Sequence, residues 1–259
     1  VRPEQLRFSI CHDEFMKFGI PTMHGIIERR MLVNFHVRPD AVRPLLPAFF
    51  RPKLVDGWAM AGICLIRLKD MRPLGLPPAC GLTSENAAHR IAVEWDEAGT
   101  TREGVFIPRR DTSSRLQAFA GGRVFPGVHH SAKFEVNEQD GAIQLEMHAR
   151  DGMASVKVHA RPDSRLPATS VFASLADASD FFARGSVGYS ATENPACCDG
   201  LELHTARWEV EPLAVDLVKS SFFDDESRFP NNAAHFDCAL LMRNIRHEWR
   251  ALPSIERQL

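Results

Sequence analysis

HHSAKFEVNEQDGAIQLEMHARDGMASVKVHA, residues 129–160, carries two Asp-Gly pairs set between runs in which apolar and polar residues alternate. Alternation with a period of two is the signature of a half-buried strand, and Asp-Gly is a preferred tight turn between antiparallel strands. The stretch therefore predicts three consecutive strands, His129–Val136, Ala142–Ala149 and Ala154–Ala160, joined by turns at Gln139-Asp-Gly-Ala and Arg150-Asp-Gly-Met. A meander of this kind places the chain among the β-rich folds.

The same signals extend outward in both directions. Upstream, Arg30–Val37 alternates, and a short helix enters after Pro39 and is stopped by Pro47. Asp56-Gly57 is a turn into Trp58–Leu68, a strand apolar enough to lie in a core, and Arg72–Pro78 is an irregular crossing. Further strands are predicted at Ala87–Trp95, Gly104–Ile107, Gly185–Ser190, Leu201–Val210 and Phe236–His247. Helices are predicted at Thr112–Arg123 and Leu175–Arg184, the second closed by Gly185, with a third near Leu213–Phe223. Many short strands with few helices give a mainly β (α+β) fold, an antiparallel barrel or sandwich with helices packed on it.

Composition narrows the function classes. With 259 residues, 44% hydrophobic and 25% charged, the chain can bury a full core, and no linker or repeat divides it, so one domain over 1–259 is expected. A formal charge of −2 and a pI near 6.6 argue against nucleic acid as a partner, because the basic residues cluster only in pairs such as Arg29-Arg30 and Arg109-Arg110. The longest apolar runs, such as Trp58–Ile66, are under half the ~20 residues a membrane helix needs. No signal pattern opens the sequence, so a cytoplasmic protein with a small ligand is expected. The six cysteines are scattered and mostly reduced on this reading, with Cys197-Cys198 in a loop. Neither metal-ligand spacing nor a Gly-rich phosphate or dinucleotide motif is present, so no metal or cofactor is predicted.

Five segments, in order, carry a family resemblance: Arg38-Pro-Asp-Ala-Val-Arg-Pro-Leu-Leu-Pro, Asp56-Gly-Trp-Ala, Met71-Arg-Pro-Leu-Gly-Leu-Pro, Glu85-Asn-Ala-Ala-His-Arg and Gly104-Val-Phe-Ile-Pro. Ala120-Gly-Gly-Arg-Val-Phe-Pro-Gly-Val-His-His-Ser-Ala-Lys-Phe and Phe182-Ala-Arg-Gly-Ser-Val-Gly-Tyr continue it. The chain resembles, over about residues 28–248, the bacterial YqjF-like family of unknown function within the acetoacetate decarboxylase-like superfamily. That resemblance implies a β-barrel of the acetoacetate decarboxylase-like type with an interior small-molecule cavity, in a homo-oligomer. It also implies a comparison at one site. The decarboxylase forms an imine between a lysine and a β-keto acid, from a Lys-Lys pair that follows an arginine. Here Arg123 is followed by Val-Phe-Pro-Gly-Val and then His129-His130, which puts His130 about where the imine-forming lysine stands. Imidazole makes no stable imine, so decarboxylation by that route is disfavoured. Lys133 has the opposite strand parity to His130 and is a poor substitute.

The candidate site follows from these residues. His130 and Glu85 are the catalytic candidates, His130 as an acid or base around neutral pH. Since His129 and His130 are consecutive on a strand, only one faces the interior; the bland alternative for either is a single structural hydrogen bond. Glu85 and Arg90 stand an odd number of positions apart, which separates them on a regular strand, and each either holds the fold together or meets the substrate. Arg123, Arg90, Arg72 and His129 are the candidates for binding a small carboxylate or carbonyl compound, with Arg67 a further embedded arginine. Two further readings stay open: a non-catalytic barrel that binds a small ligand, and an interaction role through oligomer surfaces.

Overall fold

Two long strands that branch decide the architecture. The computed structural model describes residues 7–9, 21–120 and 126–256. Its strands are β1 Arg7–Ser9, β2 Met23–Val37, β3 Arg51–Pro52, β4 Leu54–Val55, β5 Trp58–Pro73, β6 Leu82–Glu97 and β7 Thr100–Thr112. They continue with β8 His129–Gln139, β9 Ala142–Ala149, β10 Ser155–Pro162, β11 Val187–Ala191, β12 Cys197–Thr205, β13 Glu211–Ser220 and β14 Ala234–Glu256. Strand β7 pairs with β6 along one edge, while its other edge is shared: Val105–Ile107 lies beside β11 and Arg110–Thr112 beside β8, both parallel. Strand β14 divides in the same way, with β2 on one edge and β13 and then β12 on the other.

The result is a ring-like sheet with two closed circuits that share the wall β14-β2-β5-β6-β7. The larger circuit is completed by β8, β9, β10 and β13, the smaller by β11 and β12. Both faces of the shared wall are consequently buried, which explains why β2 and β5 read as near-continuous apolar runs. Met31, Val33, Ile63, Leu65, Ala87 and Ile91 point toward the β8–β10 side in one cluster; Leu32, Cys64, Ile66, Leu68 and Ala92 point the other way. Each such fully buried aliphatic side chain contributes about 1.5–3 kcal/mol.

The meander is where the sequence places it. Asp140 and Gly141 both have positive φ, 50° and 82°, the geometry that a two-residue hairpin turn needs. The second Asp-Gly differs: only Gly152 is left-handed, and Asp151 instead accepts from the Met153 amide with its side chain. The short helix α1 spans Pro39–Val42 and runs into a 3-10 turn, Arg43–Leu45. Helix α3, Leu175–Ala183, is capped by Ser174, whose Oγ accepts from the Asp177 amide.

Several expectations are corrected. The segment Leu213–Phe223 forms no helix; its first part is strand β13, because Val215 and Val218 favour extended backbone and seven residues of β10 offer it a partner edge. The helix expected over Thr112–Arg123 begins only at Arg115, as α2, Arg115–Ala120; Thr112 stays in β7 and Ser114 Oγ accepts from the Gln117 amide. Its predicted end lies outside the described residues. Cys197 and Cys198 open strand β12 rather than sitting in a loop. Cys197 is disulfide-bonded, whereas Cys64, Cys80, Cys198 and Cys238 are free. Two pairings of the sheet are parallel, so it is not antiparallel throughout.

Candidate functional site

On the branching strands, adjacent residues point into different halves of the molecule. The smaller circuit encloses a cavity of about 120 Å³ whose apolar lining includes Met23, Ile66, Leu68, Val105, Ile107 and Leu201. Into this surface β2, β6 and β7 send Arg30, Arg90 and Arg110, and β8 begins there with His129. The register fixes their relation. Cys64, Ala88, Arg110 and His129 lie in one row across β5, β6, β7 and β8; Arg90 is two residues beyond Ala88, and Arg30 two residues before Leu32, the partner of Cys64.

Each of the three guanidiniums is held by neutral groups. Arg30 Nε donates to Cys64 Sγ at 3.3 Å and the cation stacks over Trp208, 5.6 Å from its centroid. Arg90, 8% exposed, donates from Nη2 to Asn34 Oδ1 at 2.5 Å and lies 4.9 Å from the Phe182 ring, while its Nε has no partner. Arg110 Nε donates to Ser190 Oγ at 2.9 Å. Among the described residues none of the three meets a carboxylate. Burial pushes Arg90 and Arg110 down to about 10, so both stay cationic at neutral pH although desolvation opposes their charge.

His129 is positioned by the loop before it. Its Nδ1 is 3.0 Å from the Gly127 carbonyl oxygen, which can only accept, so Nδ1 carries the proton and Nε2 keeps a lone pair. Gly127 has φ of +79°, donates its amide to Asp199 Oδ2 at 3.0 Å, and approaches Ser190 so closely that a Cβ would stand 2.4 Å from the serine Cβ. Only glycine meets both demands. Burial, and then the neighbouring Arg110, push the His129 imidazole down to about 4.

The other sequence candidates lie elsewhere. His130 faces away from the cavity, with Nδ1 3.1 Å from Asp151 Oδ2. Glu85 is on the opposite face of the wall, where Arg29 Nη2 and Arg67 Nε each approach it at 2.5 Å. The cause is registry: Arg29, Arg67 and Glu85 are directly across from one another on β2, β5 and β6. Arg90, five positions on, faces the cavity, as the odd spacing predicts. Arg72 clamps its own turn, donating to the Leu76 and Asp70 carbonyls beside an open surface groove that includes His24 and Arg246. Arg123 lies outside the described residues. Lys133 is 67% exposed and paired with Glu135.

No lysine lines the cavity among the described residues. Lys53 lies in a small adjoining pocket that shares Arg90 and Val105, where its ammonium is matched by Glu103 and faces the Phe181 ring. No group of three or more His, Cys, Asp or Glu side chains is arranged to hold a metal ion among the described residues. The residues that sequence reasoning missed are Arg30 and Arg110. Their signal was the two Arg-Arg pairs: within a strand buried on both faces, one of each pair must point to either side.

Comparison with known proteins agrees with this picture. The family model DUF2071, described as an uncharacterized conserved protein, matches residues 27–239, and the chain belongs to that family. No functionally curated protein matches it in sequence. In fold it is similar to an acetoacetate decarboxylase-like enzyme from Sphingomonas wittichii RW1, at a TM-score of 0.57 and 11% identity over 95% of this chain and 99% of that one. It is also similar to the acetoacetate decarboxylase of Legionella pneumophila subsp. pneumophila str. Philadelphia 1, at 0.52 and 12% over 97% and 93%. The enduracididine biosynthesis enzyme MppR complexed with pyruvate matches at 0.53 and 12% over 95% and 91%. At these identities the likeness is one of fold. No helix among the described residues is long and apolar enough to cross a membrane.

Proposed function

We propose that this DUF2071 protein binds a small carboxylate, an oxo-acid in the first instance, in the smaller circuit of its barrel-like sheet, and acts on it by acid–base chemistry without an imine. One observation carries the reading: Arg30, Arg90 and Arg110 converge on one apolar cavity with no carboxylate partner among the described residues. Guanidiniums in a low-dielectric lining cost folding energy unless an anion arrives, and their forked donors suit a carboxylate. In this proposal Arg110, whose terminal nitrogens have no protein partner among the described residues, takes the carboxylate, and Arg90 steadies the carbonyl end.

His129 takes the role first assigned to His130. Its Nε2 lone pair removes a proton from the carbon beside the carbonyl, or from a water that adds to it, and the guanidiniums stabilise the negative oxygen that results. A bound anion offsets the field of Arg110, the second cause of the low proton affinity of His129, and so brings the imidazole back toward its ordinary range. MppR binds pyruvate by its own description, which supports a small oxo-acid as the first ligand to try. The non-catalytic alternative is favoured by a different fact: the one carboxylate at the cavity wall, Asp111, is turned to Arg109 at 2.7 Å, so His129 has no acidic partner there.

Thermal unfolding in the presence of pyruvate, acetoacetate and acetate tests the binding half, because a ligand at 100 times its Kd stabilises by about 2.7 kcal/mol. Absence of any shift removes the anion pocket. Deuterium exchange at the methyl carbon of bound pyruvate, followed by NMR, tests the catalytic half. His129→Gln should abolish exchange and keep the thermal shift; exchange that persists in this variant removes His129 as the base, and no exchange above background in the unmodified protein leaves the binding-only reading. The proposal includes a cytoplasmic homo-oligomer, and light scattering on the purified protein checks its assembly.

A further inference from the structure

We infer that the cavity is built for a dicarboxylate of four or five carbons rather than for a monocarboxylate. The inference rests on the anion-pocket reading above and adds the charge and length of the ligand.

Charge comes first. Wherever else a guanidinium is set deep in this molecule, it is matched by acids. Arg29, fully buried, meets Glu85 and Glu138, and Arg109 meets Asp111 and Asp151. The three cavity arginines are held instead by Cys64, Met242, Asn34 and Ser190 and by two aromatic faces, none of which carries charge. One carboxylate leaves two uncompensated cations in an apolar lining; two carboxylates leave one. Desolvated positive charge is costly enough that this difference dominates selectivity. Arg90 also keeps a buried Nε with no partner among the described residues, a further sign that its charge is left uncompensated by the protein.

Geometry and size agree. Arg30 and Arg90 stand on strands separated by β5 and are offset along them, since Arg90 aligns with Asn34 four residues beyond Arg30. They therefore enter the lining at separate points along the wall, which a chain with a carboxylate at each end is suited to span. At ~10–15 Å³ for each water-sized group, a volume of about 120 Å³ holds about ten heavy atoms. Four- and five-carbon oxo-dicarboxylates have about that number; a six-carbon tricarboxylate exceeds it.

Titration calorimetry on the full chain at fixed ionic strength tests this with succinate, oxaloacetate, 2-oxoglutarate, acetate, pyruvate, sulfate and citrate. At least one dicarboxylate should bind tenfold or more tightly than acetate, pyruvate and sulfate, and citrate should bind more weakly than that dicarboxylate. Arg30→Gln should narrow the dicarboxylate-to-pyruvate ratio at least fivefold; should that variant fail to fold, Arg30→Lys, which keeps the charge, should retain most of the ratio. Equal affinity for mono- and dicarboxylates, or sulfate as tight as succinate, overturns the inference and leaves the anion pocket standing. Citrate as the tightest ligand overturns the size argument and the inference with it. No binding by any of the seven removes the anion pocket itself.

Discussion

The two faces of the shared wall handle the same residue type in opposite ways. On the face toward β8–β10, Arg29, Arg67, Glu85 and Glu138 close a network in which every charge has a partner. One residue along the same strand, Arg30 turns to the other face and, among the described residues, meets only sulfur and an indole ring. The pattern repeats on β7, where Arg109 has two aspartates and Arg110 a serine, and on β8, where His130 has Asp151 and His129 a carbonyl. Paired charge on the one face holds strands together; unpaired charge on the other is the feature on which the proposed anion pocket rests. The contrast between neighbours is more informative than the presence of arginine.

That contrast is broken most severely by exchanging the two arginines of β2. Arg29→Met leaves Glu85 and Glu138 with fewer cations and should cost about 3–5 kcal/mol in urea unfolding, whereas Arg30→Met should be neutral or stabilising in ligand-free protein. Equal losses from the two variants would erase the distinction between the faces.

Acid titration probes the histidines next. His129 is held at about 4 in the folded chain, below its ordinary 6.5, so the unfolded chain takes up a proton first as pH falls. Stability is therefore full above pH 6.5 and is lost as pH drops toward 4, by up to about 1.4 kcal/mol per pH unit for this one group. His129→Gln should flatten the slope of stability in that window; an unchanged slope would show that the cavity leaves the imidazole in ordinary surroundings.

Smaller effects sharpen the picture. Arg110→Gln should shift ligand-free stability by no more than about 1 kcal/mol, in the stabilising direction, while weakening carboxylate binding tenfold or more. Lys133→Ala, on an exposed pair, should change stability by less than about 0.5 kcal/mol. Borohydride with pyruvate should give no adduct at Lys133, as mass spectrometry would read.

Much of the fold was legible because it rests on local signals. Asp140-Gly141, the alternation of β8–β10 and the apolar runs of β2 and β5 are written in consecutive residues. The site was legible only in part. Parity states that His129 and His130 must separate, yet which one enters depends on the phase set by Gly127, whose left-handed backbone and contact with Ser190 are tertiary facts. Arg90 was found together with Glu85, in a segment that carries the family resemblance, whereas Arg30 and Arg110 were hidden inside basic pairs that composition reads as surface. For Glu85 the sequence left ion pairing and substrate contact both open, because its partners, Arg29 and Arg67, come from other strands and only the register brings them together. Segment 213–223 was misread for a related reason: its edge partner, β10, decides between helix and strand, and no local residue announces it.

Because β7 and β14 each belong to both circuits, the two halves of the sheet are fastened to the same pair of strands. A ligand that fills the small circuit should therefore slow amide exchange along β7 and β14, including the stretches that pair with β8 and β13 in the other half.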